Sequence, residues 1–191
     1  MRTGGPLLLD HYQAMARYNI WMNEKLYGLC EDLPDQARKR DMGAFFRSLH
    51  GTFNHILLAD HAWMARFTGD SEAFRFYDLE GRPIHVRSLD QELYADFDSL
   101  RTVRKRTDEQ IERWTAELSE QELKETLRYR TSGGEQYEHP LWWAMSHFFN
   151  HQTHHRGQAT TLLKQLGVDP GVTDLAVMLR QGPSSGPNGD V

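Results

Sequence analysis

The chain is poor in cysteine. Cys30 is the single cysteine among 191 residues, so no disulfide can form within the chain and no multi-thiolate metal site can be built. The count fits a reducing cytoplasm, which is the predicted location. Cys30 lies at the end of a helical pattern, so we expect a packed thiol there rather than a nucleophile.

Long apolar runs and excess positive charge are also absent. No apolar run approaches the roughly 20 residues of a membrane span, and the first residues lack the apolar region and cleavage site of a secretory signal. A formal net charge of −5 argues against non-specific electrostatic binding to nucleic acid. With 39% hydrophobic and 26% charged residues, the composition predicts a soluble globular protein that binds neither membrane nor nucleic acid.

Four stretches place apolar residues at steps of three and four, the spacing of amphipathic helices. The predicted helices run from about Leu8 to Leu29, from Ala44 to Thr68, from Leu89 (with Ser88 as its N-cap) to Trp114, and from Pro140 to Leu166. This pattern predicts an all-α fold, a four-helix bundle. We expect one domain over residues 1–181, followed by a disordered tail over residues 182–191.

The connections between these helices differ in length. The short link through Pro34 and Gly43 permits the first two helices to be antiparallel neighbours. The links over residues 69–87 and 118–139 are long enough for crossovers. Alternation around Ser132-Gly133-Gly134 predicts a small β-hairpin in the second of them.

Histidine is abundant in one short segment. His147, His151, His154 and His155 fall within nine residues of the fourth predicted helix. His151 and His155 continue the apolar stripe of that helix, and residues four apart can aim two imidazoles at one point. Burying two imidazoles without partners is costly, so a transition-metal site is the first hypothesis. A hydrogen-bonded pair of core histidines is the alternative.

Each predicted helix has a polar interruption near the middle of its apolar stripe. These interruptions are Asn19, His55, Thr107 and the pair His151 and His155. If they meet at one depth, they form either a network that fixes helix register or a metal site of three imidazoles with open coordination positions.

The spacing alone leaves the ligand list open, because other histidine pairs of the fourth helix also share a face. His147 and His151 stand four apart, and His151 and His154 three apart. The remaining histidines are assigned to the surface or to positions beside the site: His11, His50, His61, His85 and His139.

Three segments resemble the DinB/YfiT-like superfamily of metal-dependent proteins. They are Tyr-Asn-Ile-Trp-Met-Asn-Glu-Lys-Leu from Tyr18, the stretch from Leu49 to Trp63, and Asn-His-Gln-Thr-His-His-Arg-Gly-Gln from Asn150. The resemblance implies up-down-down-up topology and a homodimer. It also implies one divalent metal per chain, nickel or zinc before manganese or iron, bound by His55, His151 and His155. The family name describes no activity on DNA.

The resemblance leaves several functions open. Some relatives are thiol-dependent transferases or isomerases, so the first hypothesis is a metal-activated low-molecular-weight thiolate, with Arg104 or Arg156 as a cationic contact for an acidic thiol. Exposed salt bridges are the alternative for both arginines. A metal-dependent hydrolase is weaker, because Asp60 lies about 140° round the helix from His55. A non-catalytic metal-binding stress-response protein is the third possibility. The small-molecule substrate and the catalytic residues are unknown.

Overall fold

The computed structural model describes residues 7–131 and 133–181 of the chain. The predicted tail lies outside these residues. The α-helices are α1 (Leu8–Leu29), α2 (Asp35–Lys39), α3 (Leu49–Thr68), α4 (Phe97–Glu117), α5 (Leu141–Gln165) and α6 (Leu175–Gln181). A 3-10 turn at Glu122–Lys124 precedes the strands β1 (Thr126–Arg130) and β2 (Gln136–Pro140). Within the described residues, no helix is both long enough and apolar enough to cross a membrane.

The four long helices form a bundle in which each packs on two others. Two side-chain contacts show the direction of each pair: Tyr27–Phe97 and Asn19–Asp108 for α1 with α4, Asp60–Arg104 and Phe67–Trp114 for α3 with α4, His55–His151 and Trp63–His147 for α3 with α5, and Tyr12–Ser146 and Asn19–Arg156 for α1 with α5. Residue numbers rise together in the pairs α3–α4 and α1–α5, so these helices run parallel. They run in opposite directions in the pairs α1–α4 and α3–α5, so these helices are antiparallel. The predicted up-down-down-up topology is therefore confirmed.

In this arrangement α1 packs mainly on α4 and α5, and α3 lies diagonally across the bundle from α1. The sequence permitted the first two long helices to be antiparallel neighbours; they are antiparallel but not neighbours. The connection from residue 30 to residue 48 contains α2 and is long enough to cross the end of the bundle. Link length therefore did not decide which helices pack together.

The second long helix starts later than predicted, at Leu49 instead of Ala44. Ser48 is its N-cap, and its Oγ accepts a hydrogen bond from the backbone N–H of Gly51 at 3.0 Å. Residues 44–47 form a tight turn that ends on Arg47 with a positive φ of 66°. The apolar residues before Leu49 belong to this turn, which lies over the first turn of α3.

The third long helix also starts later, at Phe97 instead of Leu89. Asp96, not Ser88, is its N-cap, because the Asp96 carboxylate accepts from the Ser99 N–H at 2.8 Å. The preceding segment is irregular instead of helical, because Asn54 Oδ1 accepts from the N–H groups of Leu93 and Tyr94 at 2.8 and 2.9 Å. An interaction with α3 thus replaces the first helical turns that the apolar pattern predicts.

The predicted β-hairpin is confirmed. Strands β1 and β2 are antiparallel, with Leu127 opposite His139 and Tyr129 opposite Tyr137. The hairpin leads directly into α5 and contacts the bundle through the Tyr129 ring, which lies 5.2 Å from the ring of Trp63 on α3. One wall of the α3–α5 seam is thereby covered by an aromatic residue of the hairpin.

Ionised side chains meet in the centre of the bundle. Arg104 donates to the Asp60 carboxylate at 2.6 Å, and its second terminal nitrogen lies 2.7 Å from Asp108. Asn19 donates to Asp108 at 2.7 Å and accepts from Arg156. All five side chains are buried. The expectation that Arg104 and Arg156 are cofactor contacts or exposed salt bridges is therefore wrong: both are part of a buried ion-pair network.

Candidate metal centre

Three histidines converge where α3 packs against α5. One ring nitrogen each from His55, His151 and His155 lies within 4.8 Å of the other two. The Nε2 atoms of His55 and His151 are 3.2 Å apart. Two nitrogen ligands at about 2.0–2.1 Å from a tetrahedral zinc stand about 3.3 Å apart, so this separation fits a shared metal. The predicted residues are brought together by the fold.

Two rings of this histidine triad, those of His55 and His155, are oriented by hydrogen bonds from their Nδ1 atoms. His55 Nδ1 donates to the backbone carbonyl of Leu89 at 2.8 Å. His155 Nδ1 donates to the side-chain oxygen of Gln158 at 2.8 Å. These contacts place the proton on Nδ1 and leave the Nε2 lone pair free, as a metal-ligating histidine requires.

All three imidazoles are neutral near pH 7. Burial lowers the pKa of His55 to about 4 and that of His151 to about 3, and repulsion from neighbouring histidines adds to both effects. Burial also lowers the pKa of His155, against a smaller opposing effect of Gln158. The neutral imidazole is the form that ligates metals, so the triad needs no proton release at neutral pH.

An aromatic side chain covers one side of the triad. The Phe46 ring stacks on the His55 ring with centroids 3.7 Å apart and meets the His155 ring edge-on at 5.4 Å. A cavity of about 670 Å³ opens beside it, lined by Phe45, Phe46, His55, Leu89, Asp90, His154, His155 and Gln158. A small molecule in this cavity contacts phenyl rings on one side and two members of the triad on the other.

The structure distinguishes between the alternative histidine pairs. His147 lies beside Trp63, with its ring 6.0 Å from that of His151, and His154 makes a side-chain contact with Gln158. Neither belongs to the group that could share a metal in the described residues.

Two histidines assigned to the surface or the site margin are buried elsewhere. His50 contacts the Tyr94 carbonyl at 2.8 Å, and His61 lies between the Phe74 carbonyl and the Thr107 hydroxyl. The expectation for these two is wrong, because their partners belong to a loop and to another helix.

The predicted polar layer divides into three groups. Asn19 belongs to the buried ion-pair network and Thr107 to the contact with His61, whereas the triad lies apart on the α3–α5 seam. Asp60 is likewise committed to that network, through Arg104 and a hydrogen bond from Gln152 at 3.0 Å. The sequence indicated that Asp60 is poorly placed to act as a general base near the triad, and its position in the network agrees with this.

Comparison with known proteins gives one family. The sequence profile of the DinB family matches residues 8–184. The chain belongs to the DinB family. Protein DinB of Bacillus subtilis (strain 168) is 22% identical over 170 residues, covering 86% of this chain and 91% of the relative. The crystal structure of a DinB-like protein from Bacillus cereus ATCC 10987 is similar in fold, with a TM-score of 0.54 and 19% identity, over 80% of this chain and 91% of that one.

Three further residues of this DinB-family chain lie at the site and were not predicted. Phe46 stacks on His55, Gln158 orients His155, and Asp90 lines the cavity. Gln158 is the last residue of the histidine motif that starts at Asn150, so its place in that motif could have marked it as a site residue. Phe46 and Asp90 lie in connections, where apolar periodicity gives no information about which residues face the site.

Proposed function

We propose that this DinB-family protein binds one divalent transition metal per chain through His55, His151 and His155. Nickel and zinc are the first choices, since imidazole suits both. We further propose that the metal activates a low-molecular-weight thiol for a transfer or isomerisation reaction. The observation that carries the proposal is the convergence of three imidazole nitrogens within 4.8 Å of one another.

The surroundings of the triad favour an anionic nucleophile. A divalent metal with three neutral ligands keeps its full charge and lowers the pKa of a thiol or a water in its remaining position. Leu89 and Gln158 orient the rings with neutral oxygens, so neither contact neutralises that charge. Phe46 excludes water from one side of the triad, which strengthens the attraction between a cation and a thiolate.

Asp90 supports a metal-dependent hydrolase as a second candidate. Its side chain lines the cavity beside His55 and His155. A hydrogen bond with Ser88 is the largest effect that lowers the Asp90 pKa, so the carboxylate is ionised at neutral pH and can accept a proton. A non-catalytic metal-binding protein is the remaining alternative, with the same triad and no turnover.

The first test is elemental analysis of untagged protein purified without chelators, for the wild type and for His151→Ala. We expect about one metal per chain in the wild type and a strong loss in the variant. His154→Ala is the matched control, because this neighbouring histidine lies outside the triad. If the wild type contains no metal and also does not bind zinc, nickel or manganese when these are added, the metal proposal is rejected.

A second test separates the candidate reactions. The metal-loaded protein is assayed for conjugation of small thiols to the electrophile monobromobimane and for hydrolysis of ester and amide substrates. The thiol reaction should survive Asp90→Asn, whereas a hydrolase that uses Asp90 as its base should lose about a hundredfold or more in rate. Bound metal without either reaction would favour the non-catalytic alternative.

The assembly is part of the same proposal. On the basis of family membership we propose a homodimer, which light scattering of the purified protein tests directly. A mass of one chain, 22.2 kDa, at micromolar concentration would reject it.

A further inference from the structure

Two exposed apolar side chains line the cavity beside the triad. Phe45 is 82% exposed and Leu89 is 57% exposed, and both belong to the wall of this cavity of about 670 Å³. Apolar surface in contact with water is unfavourable, and a bound apolar group would remove both surfaces from water. Single exposed apolar residues are common on proteins, but these two share one concave site with the imidazoles of His55 and His155.

Both side chains are held in place relative to the triad. Phe45 lies in the tight turn of residues 44–47, which backbone hydrogen bonds of 2.7 Å close. Its ring meets the Phe46 ring edge-on with centroids 4.8 Å apart, and the Phe46 ring stacks on His55. Leu89 is fixed through its carbonyl oxygen, which accepts the hydrogen bond from His55. The apolar wall is therefore arranged before any ligand binds, which lowers the entropy lost on binding.

The polar side chains that line the cavity already have partners in the protein. Gln158 lies between His154 and His155, with its amide nitrogen 3.3 Å from one ring nitrogen and its oxygen 2.8 Å from the other. The Asp90 carboxylate accepts a hydrogen bond from Ser88. In the described part of the chain, no lysine or arginine lines the cavity. The cavity therefore offers apolar contact to a ligand and no side-chain cation to an acidic one.

We propose that the molecule bound at the triad carries an uncharged aromatic group next to its metal-binding atoms, and that Phe45 and Leu89 bind this group. The inference rests on the proposed function of the triad as a metal site. An aromatic group can contact the Phe45 ring edge-on or offset, which adds to the gain from burying apolar area. A carboxylate in the same place would lose hydration beside the phenyl rings and would be repelled by Asp90. Phe45 thus selects an aromatic substrate over an acidic one.

The test uses cobalt(II)-loaded protein, whose visible absorption changes when a ligand binds the metal. The probes are acetohydroxamate, benzohydroxamate and 4-carboxybenzohydroxamate, which share one metal-binding group and differ in what is attached to it. Benzohydroxamate should bind about tenfold more tightly than acetohydroxamate, the effect of burying much of a phenyl ring. The carboxylated probe should bind about threefold or more weakly than benzohydroxamate, because its charge meets Asp90 and no side-chain cation.

Variants assign the effect to Phe45. Phe45→Ala should reduce the preference for benzohydroxamate to about threefold or less and leave the affinity for acetohydroxamate unchanged. Leu79→Ala is the matched control, because Leu79 is also 82% exposed and does not line the cavity. It should keep the full preference. Light scattering of the wild type and of Phe45→Ala tests the other possible occupant of this surface, a second copy of the chain.

The outcomes separate this inference from the proposed function. Equal affinity of the wild type for benzohydroxamate and acetohydroxamate, or a preference that persists in Phe45→Ala, would overturn the inference and leave the metal site intact. A dimer that dissociates in Phe45→Ala would also overturn it, because the ring then contacts a second copy instead of a ligand. Absence of bound cobalt, or of any change in its absorption with all three probes, would overturn the metal proposal and this inference with it.

Discussion

At the scale of single residues, the orientation of the histidine triad depends on groups outside the triad. His55 is oriented by the backbone carbonyl of Leu89, which a side-chain substitution cannot remove. His155 is oriented by the side-chain amide of Gln158, which can be replaced. The two contacts have equal lengths of 2.8 Å, so they fix their rings in comparable ways. Gln158 is thus the residue through which this effect can be measured.

We predict that Gln158→Leu weakens metal binding about 10- to 100-fold, because the His155 ring loses its fixed orientation and tautomer. A competition titration against a metal-sensitive dye measures the affinity. Gln165→Leu, an exposed position at the end of the same helix, is the control and should bind as the wild type does. Equal affinities for both variants would mean that packing, not Gln158, orients His155.

The sequence predicted the triad but not its surroundings. His151 and His155 could be paired from their four-residue separation, His55 stood out as the polar interruption of the second predicted helix, and the family resemblance selected these three. Phe46 could not be found in this way, because it lies in the turn before α3, and no residue spacing indicates that this turn places its ring on His55.

At the scale of secondary-structure elements, the start of α3 determines what covers the triad. Gly51 lies in the first turn of this helix, where the Phe46 carbonyl comes so close that a Cβ on Gly51 would overlap it. The absence of a side chain at Gly51 therefore lets the preceding turn lie against α3. That contact places the Phe46 ring on His55.

We predict that Gly51→Ala destabilises the protein by about 1–3 kcal/mol and displaces Phe46 from His55. Urea unfolding measures the first effect, and the chemical shifts of the His55 ring report the second. Gly28→Ala is the control, since nothing lies within 4 Å of an added Cβ there and its φ is not positive. That change in α1 should stabilise by about 0.5–1 kcal/mol. A stable Gly51→Ala protein with unchanged His55 shifts would contradict the role given to this contact.

Helix interiors were predictable from apolar periodicity, and helix starts were not. The ends of α1 and α3 agree with the pattern, because apolar spacing stops where the core contacts stop. The starts of α3 and α4 were misplaced because apolar residues continue upstream of Ser48 and Asp96. These upstream residues lie in turns and irregular segments, which periodicity cannot distinguish from helix.

At the scale of the whole molecule, the arrangement of the helices brings charge into the core. Up-down-down-up order places α1 and α3 on a diagonal, so side chains from all four long helices meet in the centre. The meeting point is the ion-pair network around Arg104, rather than the triad. Helix pairing followed from family resemblance, not from link lengths, and the network could not be predicted without that pairing.

The buried histidines make the stability of the bundle depend on pH. His61 is enclosed by α4 and the Phe74 loop, and burial lowers its pKa to about 4, against about 6.5 in an unfolded chain. Between these values the unfolded state binds the proton and the folded state does not. The free energy of unfolding therefore rises with pH across this window and falls as the pH drops from about 6.5 towards about 4.

We predict that His61 alone reduces the free energy of unfolding by about 2 kcal/mol between pH 7 and pH 5. Urea unfolding of metal-free wild type and of His61→Gln at both pH values measures this effect, and the variant should lose that much less on acidification. Asp108, whose pKa burial raises to about 6, has the opposite sign but is common to both proteins, so the comparison isolates His61. Identical pH dependence would require His61 to accept a proton in the folded protein, which its burial and the positive charge of Arg104 oppose.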